Sequence, residues 1–386
     1  HRFTLDEAAT AYQLIEGKKT EPYLGILLSY NSKTFDKNSS DLIKINPTKV
    51  DNDKIKISFY GAGNYATATL IPLMKDSGKV SFNGLVTATG MSAQSVAKKF
   101  DFNYCASNYK EILNDKNDVV AITTRHDTHS KAICDALAAN KNVYVEKPLA
   151  LSVSELEDIH KAYTDNAKSQ IMVGFNRRFA PSTNEIIQHF ESVKSPLVIN
   201  IRVNAGFIPA DHWTQDAQEG GGRMIGEGCH FIDLASAITK SNVKTIYAVG
   251  SSKEEKSALL NDNLCLSLTF ENGSIANITY TADGSKAMSK EHIEVFGGGR
   301  SAQIKDFKEI SLFDGDKKVK DKKLGSQDKG QKSMIDSWLK GIQNGEPCID
   351  YNSLMQTSLA TILSIESLSI GMPLDVDSKL YKIKSS

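Results

Sequence analysis

Residues 54–70 constrain the fold of this chain more than any other stretch. They read Lys-Ile-Lys-Ile-Ser-Phe-Tyr-Gly-Ala-Gly-Asn-Tyr-Ala-Thr-Ala-Thr-Leu. A β-prone run (Ile55, Ile57, Phe59, Tyr60) passes directly into Gly61, Gly63 and Ala66, and then into a mostly apolar helical pattern from Ala66 to Met74. Strand, glycine turn and helix in that order put G-x-G-x-x-A in the context that makes it informative. Gly61 permits the tight turn, Gly63 lets backbone approach a pyrophosphate, and Ala66 is small enough for close helix–strand packing. Asn64 and Tyr65 complete the turn, where free N–H groups and a positive dipole end attract phosphate. The reading is a dinucleotide site. Its ordinary alternative is a glycine turn that joins strand to helix for structural reasons alone.

The pattern then alternates. Strands are predicted at 85–89, 118–124, 142–146 and 170–175, and helices at 92–100, 130–139 and 152–163, which makes a parallel, doubly wound sheet. Beyond 175, strand-like runs dominate at 196–204, 243–251, 264–281, 293–296 and 302–313. Asn272-Gly273 marks a hairpin in the longest of them. With a helix at 221–238 against those runs, the expected fold is α/β: a Rossmann sheet followed by a second α/β domain with a large open, mostly antiparallel sheet. Closing helices are expected at 329–343 and 353–371, and the Lys- and Asp-rich run 315–332 reads as a solvated loop. The expected divisions are a tail and linker over 1–50, a dinucleotide-binding domain over 51–175, and a substrate domain over 176–386. A chain of 386 residues is long enough for two such domains.

Charge narrows the partners. Lys plus Arg and Asp plus Glu balance at 46 each, which argues against the basic face that nucleic acid or an anionic membrane requires. Five scattered cysteines without a C-x-x-C pair indicate neither a disulfide framework nor a cysteine zinc site, and fit a cytoplasmic, reducing setting. No metal site is expected: His212, Cys229 and His230 lack ligand spacing. No apolar run reaches the roughly 18 residues of a spanning helix, and no signal peptide is visible. The first residue is His1, not Met, so the chain reads as a fragment or a processed form.

Ligands in such sheets bind outside the carboxyl ends of the strands. An acid at the end of the second strand would bind the ribose hydroxyls of NAD, but the stretch here is Thr87-Ala88-Thr89-Gly90-Met91-Ser92. Gly90 and Ser92 leave room for a 2′-phosphate, with Lys98 or Lys99 nearby and no Arg to clamp it. NADP is therefore favoured over NAD. Two further strand ends are unusual, Thr124-Arg125-His126-Asp127-Thr128-His129 and Glu146-Lys147-Pro148. Capping and solvation are the ordinary roles for the first, an exposed turn for the second.

These motifs, with Val173-Gly174-Phe175-Asn176-Arg177-Arg178-Phe179 and Gly220-Gly221-Gly222…His230-Phe231-Ile232-Asp233, occur in an order and spacing that resembles the glucose–fructose oxidoreductase / inositol dehydrogenase / MocA family. The resemblance runs from about residue 54 to 375. It implies hydride transfer between NAD(P) and a secondary hydroxyl or keto group of a sugar, cyclitol or nucleotide-sugar, and a homo-oligomer formed through the C-terminal sheet. It places Thr124, Arg125, His126, His129, Glu146 and Asn176 with the glycine turn about the cofactor. Lys147 matches the family's active-site lysine, which binds the reacting hydroxyl, and His230 its general acid/base histidine. A neutral imidazole near pH 7 can take the hydroxyl proton, and an adjacent ammonium stabilises the alkoxide that develops.

The family usually carries an Asp four residues before that histidine. Here the position is Gly226, and Glu227 is expected to supply the carboxylate instead. Asp211, His212 and Trp213 suit a sugar, with a flat apolar face and hydrogen-bonding partners. Arg177 and Arg178 read as interdomain ion pairs, with Arg177 also a candidate for a substrate phosphate and Arg223 a further anion contact. The alternative functions are a non-catalytic NAD(P)-binding regulator, and a glycosidase that uses NAD in transient oxidation. Residues 1–30 separately resemble the C-terminal end of zinc-type medium-chain alcohol dehydrogenases: His-Arg-Phe, Glu7-Ala8-Ala9…Tyr12, Gly17-Lys18 and a final strand. That likeness implies a fused two-dehydrogenase parent.

Overall fold

The computed structural model describes residues 1–4, 7–18, 21–29, 42–46, 53–87, 90–251 and 261–376, with the side chains of 90–92 left out. The chain falls into two compact units, His1–Asp41 and Leu42–Ser386. In the first, β1 (Arg2–Thr4) pairs in parallel with β2 (Leu27–Ser29), and α1 (Ala8–Ile15) buries Ala11 and Leu14.

The second unit holds two sheets. The first contains β3 (Ile43–Lys44), β4 (Ile55–Tyr60), β5 (Val80–Val86), β6 (Tyr104–Ala106), β7 (Val119–Ile122), β8 (Asn142–Val145) and β9 (Ile171–Val173). Its order is β3-β6-β5-β4-β7-β8-β9, parallel except for β3 against β6. The helices are α2 (Ile71–Asp76), α3 (Gly90–Phe100), α4 (Lys110–Asn114), α5 (His129–Ala138) and α6 (Val153–Asp165). Every residue of β7 is buried, as in a sheet covered on both faces. From β4 the chain winds outward through β5 and β6, then returns to β7 and winds the other way. The crevice for a ligand therefore opens between the ends of β4 and β7. Several details depart from expectation: the second strand, expected at 85–89, is Val80–Val86, and α4 was not foreseen. Ile43–Lys44, read as linker, is an edge strand, and the short β6 was not foreseen.

The second sheet follows α7 (Pro181–His189). It comprises β10 (Val198–Asn204), β11 (Val243–Gly250), β12 (Leu264–Phe270), β13 (Ile275–Thr281), β14 (Glu291–Gly297), β15 (Arg300–Lys305), β16 (Glu309–Asp314), β17 (Lys317–Lys323) and β18 (Leu374–Asp375). The order is β17-β16-β15-β14-β10-β13-β12-β11-β18, antiparallel except for β10 with β13. Strict alternation in β12 turns Leu264, Leu266, Leu268 and Phe270 inward. On this side α10 (Tyr351–Ile370) packs on β11 and against α8 (Cys229–Thr239), while α9 (Gln331–Asn344) lies against α2 and sets Trp338 beside Tyr144 of β8. The run read as one strand over 302–313 is two, because Asp306 and Phe307 both take positive φ and turn the chain. The lysine-rich run read as a solvated loop contains β17, an exposed edge strand. Its charges discourage pairing with another chain.

Candidate active site

The glycine turn sits where β4 meets β7. Gly61 has φ of +104°, and a Cβ there would stand 2.6 Å from the Thr123 carbonyl carbon, so any other residue would drive the two strand ends apart. Thr123 Oγ1 closes the approach by donating to the Gly61 carbonyl at 2.9 Å. Helical backbone begins at Asn64. It widens to a π turn over Ala66–Leu70, followed by Pro72, which has no N–H to continue the ladder. Gly63, Asn64 and Tyr65 are exposed on the turn, and a Cβ on Gly63 would meet no atom within 4 Å. Open space of that kind suits the close approach of a pyrophosphate. Gly90 and Ser92 open α3, and the contacts expected of them rest on side chains outside those described.

Three neighbouring strand ends converge here. After β7, His129 is fully buried, with Nδ1 2.7 Å from the Pro148 carbonyl and Nε2 3.3 Å from that of Thr124. It braces two loops against each other. His126 Nδ1 lies 2.7 Å from the Gly220 carbonyl, and its ring meets Trp213 edge-on at 4.7 Å. Arg125 pairs with Glu219 and lies 5.5 Å above the Trp213 ring, so the loop carrying Trp213 is clamped to the β7 turn. Burial, then Lys147 and His129, hold the His126 pKa down at about 3. After β8, Tyr144 Oη donates to Glu146 Oε1 at 2.7 Å, while burial raises the Glu146 carboxyl. Lys147, in a cis bond to Pro148, donates through Nζ to the Gly226 carbonyl at 2.9 Å.

That carbonyl belongs to a π turn, Met224–Gly228, leading into α8 and His230. His230 is 5 % exposed, and its buried Nδ1 has no hydrogen-bond partner among the described residues. Burial, then Arg177, Lys147, Lys329 and Lys290, push its pKa well below the ordinary value, so the ring is neutral.

Several expected roles are corrected. Glu227 does not orient His230: its carboxylate accepts from Arg223 Nη2 at 2.8 Å, Tyr280 Oη at 2.6 Å and Lys290 Nζ at 2.7 Å. Burial alone would raise that acid, yet these donors hold it far below its usual value. Arg177 is not free for substrate. It makes a bidentate pair with the fully buried Glu291, 2.9 Å at each contact, and Lys329 reaches the same carboxylate at 2.7 Å. Arg178 grips Asp233 of α8 in the same manner. Asn176 donates to the Lys329 carbonyl at 2.8 Å, which gives its amide a structural partner. Asp211 is exposed, and His212 Nδ1 accepts from the Thr214 N–H, so of that trio only Trp213 reaches the crevice wall. Among the described residues, no three His, Cys, Asp or Glu side chains form a metal-holding group. Tyr280 and Lys290 were missed, and 53 and 63 residues of separation from Glu227 leave no local signal for them.

Two family models match this chain. Residues 55–175 match the NAD-binding Rossmann fold of an oxidoreductase family, GFO/IDH/MocA, and residues 195–302 match the GFO/IDH/MocA C-terminal domain. The chain belongs to this family. Among curated relatives of this GFO/IDH/MocA member, the uncharacterized oxidoreductase YrbE of Bacillus subtilis is 26% identical over 298 residues, 74% of this chain and 86% of that one. Inositol 2-dehydrogenase of Salmonella typhimurium is 29% identical over 144 residues, which is 36% of this chain and 41% of that enzyme. Levoglucosan dehydrogenase, solved in complex with NADH and levoglucosan, superposes with a TM-score of 0.74 at 18% identity. The superposition covers 84% of this chain and 99% of that one, and carries the fold.

Proposed function

We propose that this oxidoreductase moves a hydride between a nicotinamide dinucleotide and a secondary hydroxyl or keto carbon of a sugar, cyclitol or nucleotide-sugar. The juxtaposition of Lys147 with the π turn that leads into His230 carries the reading. The dinucleotide fits the residues present: Gly63 leaves open space on the turn, and the buried Nδ1 of His230 has no partner among the described residues. Gly61, Gly63, Asn64, Tyr65 and Ala66 would hold its pyrophosphate, and Gly90 with Ser92 its adenosine ribose, where NADP is favoured. When bound, it supplies or accepts the hydride. The chain's own groups handle the proton. One N–H of the Lys147 ammonium is taken by the Gly226 carbonyl, leaving two to grip the substrate oxygen. Neutral His230, whose Nδ1 has no partner among the described residues, takes the hydroxyl proton at its unprotonated ring nitrogen.

The inositol 2-dehydrogenases and levoglucosan dehydrogenase among its relatives support a polyol or sugar substrate. Screening such compounds with NAD and NADP for nicotinamide absorbance tests the reading. His230→Ala and Lys147→Ala are expected to lower kcat by roughly 100-fold or more, and full turnover in either variant overturns the assignment. Gly226 favours a second reading, a dinucleotide-binding module without turnover, which binding without reaction across the whole panel would establish. Outward-facing Val198, Ile275 and Phe296 are register neighbours on β10, β13 and β14, and support self-association through that sheet face. For residues 1–30, descent from an alcohol dehydrogenase end is a proposal about that segment alone.

A further inference from the structure

Gly226 has a neighbour that its sequence does not announce. A Cβ at residue 226 would stand 3.0 Å from Cε1 and 3.6 Å from Nδ1 of His126, a residue one hundred positions away on the β7 turn. The imidazole thus lies where a side chain at 226 would extend, beside the same peptide whose carbonyl holds the Lys147 ammonium. Its tautomer is fixed by geometry. Nδ1 is 2.7 Å from the Gly220 carbonyl, which can only accept, so Nδ1 carries the hydrogen and Nε2 presents a bare lone pair. Among the described residues no hydrogen bond engages that Nε2.

We propose that His126 and Gly226 form one coupled unit, in which the His126 imidazole fills the place of a carboxylate at 226 and reads a substrate hydroxyl as a hydrogen-bond acceptor. This rests on the polyol reading above. A carboxylate in that place would bring a charge beside Lys147. The imidazole brings a neutral acceptor and leaves the ammonium unpaired toward the substrate. Burial and the adjacent ammonium keep the ring uncharged at ordinary pH.

The test is a cycle of Gly226→Asp, His126→Asn and the double variant in the full chain, read by melting temperature, dinucleotide affinity and polyol kinetics. Gly226→Asp alone is expected to lose stability and turnover by crowding His126, and the double variant to recover both. His126→Asn is expected to raise the polyol KM about tenfold or more, as loss of a buried hydrogen-bonding partner does, and to raise it by a larger factor than the dinucleotide Kd. Additive melting shifts, or Gly226→Asp at full activity, would overturn the coupling. An unchanged polyol KM in His126→Asn would overturn the hydroxyl-reading role. If the wild-type chain turns over no polyol, the functional reading fails and the hydroxyl-reading role with it. The steric coupling is then judged separately by the melting cycle.

Discussion

His126, His129 and His230 are all buried and all have pKa values driven below the ordinary histidine range, chiefly by burial. Unfolded, each would titrate near 6.5. Their neutral forms therefore stabilise the fold above that pH, and the unfolded chain binds more protons as pH falls. Each histidine is expected to cost about 1.4 kcal/mol of stability per pH unit below roughly 6.5, until its folded pKa is reached. Urea midpoints at pH 7.5 and pH 5 should differ accordingly, and a flat profile would contradict the burial of these rings. Glu227 behaves the same way for the opposite chemical reason. Its folded pKa is depressed by three donors, so its contribution is present above the ordinary carboxylate value and lost in acid. Glu227→Ala leaves Arg223 and Lys290 without their shared anion, and is expected to cost about 2–4 kcal/mol in chemical denaturation. His230 should keep its neutral state in that variant, because no hydrogen bond joins the two residues.

At the scale of elements, the β4 turn and α8 illustrate what a chain reveals about itself. Ile55–Tyr60 followed by Gly61 was legible because local chemistry specifies it: β-prone residues, then a glycine at φ +104° against Thr123. Gly61→Ala would clash with that backbone, and is expected to cost about 1–3 kcal/mol and to weaken dinucleotide affinity about tenfold or more. Isothermal titration with NADH and NADPH measures the second. The helix of His230 was legible too, but its π turn was not, since period counting cannot distinguish one wide turn from α-helix. The break at Asp306-Phe307 was hidden because a bulky aromatic seldom takes positive φ. Tertiary context overrides that local preference. Partners of Glu227 were illegible because Tyr280 arrives from β13 and Lys290 from the bend before β14, and only the tertiary fold brings them within 3 Å.

Across the whole molecule, the mostly antiparallel sheet keeps one face on its helices and leaves the other outward. Val198 faces Ile275 and Phe296 directly across the ladder, and Tyr247 and Val249 are exposed on β11. Apolar groups on an outward sheet face are a natural seat for another copy of the chain. Light scattering is expected to give a mass above the 42.3 kDa of one chain, and Ile275→Asp to return it to that value. A monomer at micromolar concentration would remove the sheet from consideration as an interface.

The paired arginines 177 and 178 bear on how the molecule handles its ligands. From one short turn after β9, Arg177 clasps Glu291 on β14 while Arg178 clasps Asp233 on α8. The peptide that joins the dinucleotide sheet to the second lobe is thus bolted onto that lobe by buried, two-pronged ionic contacts. Swinging the lobes about that peptide would strand charges in a dry interior. Such a molecule resembles a vice welded at one setting rather than a jaw. Rapid-mixing traces of NADH fluorescence should accordingly rise in a single concentration-dependent phase, with no slower step that saturates.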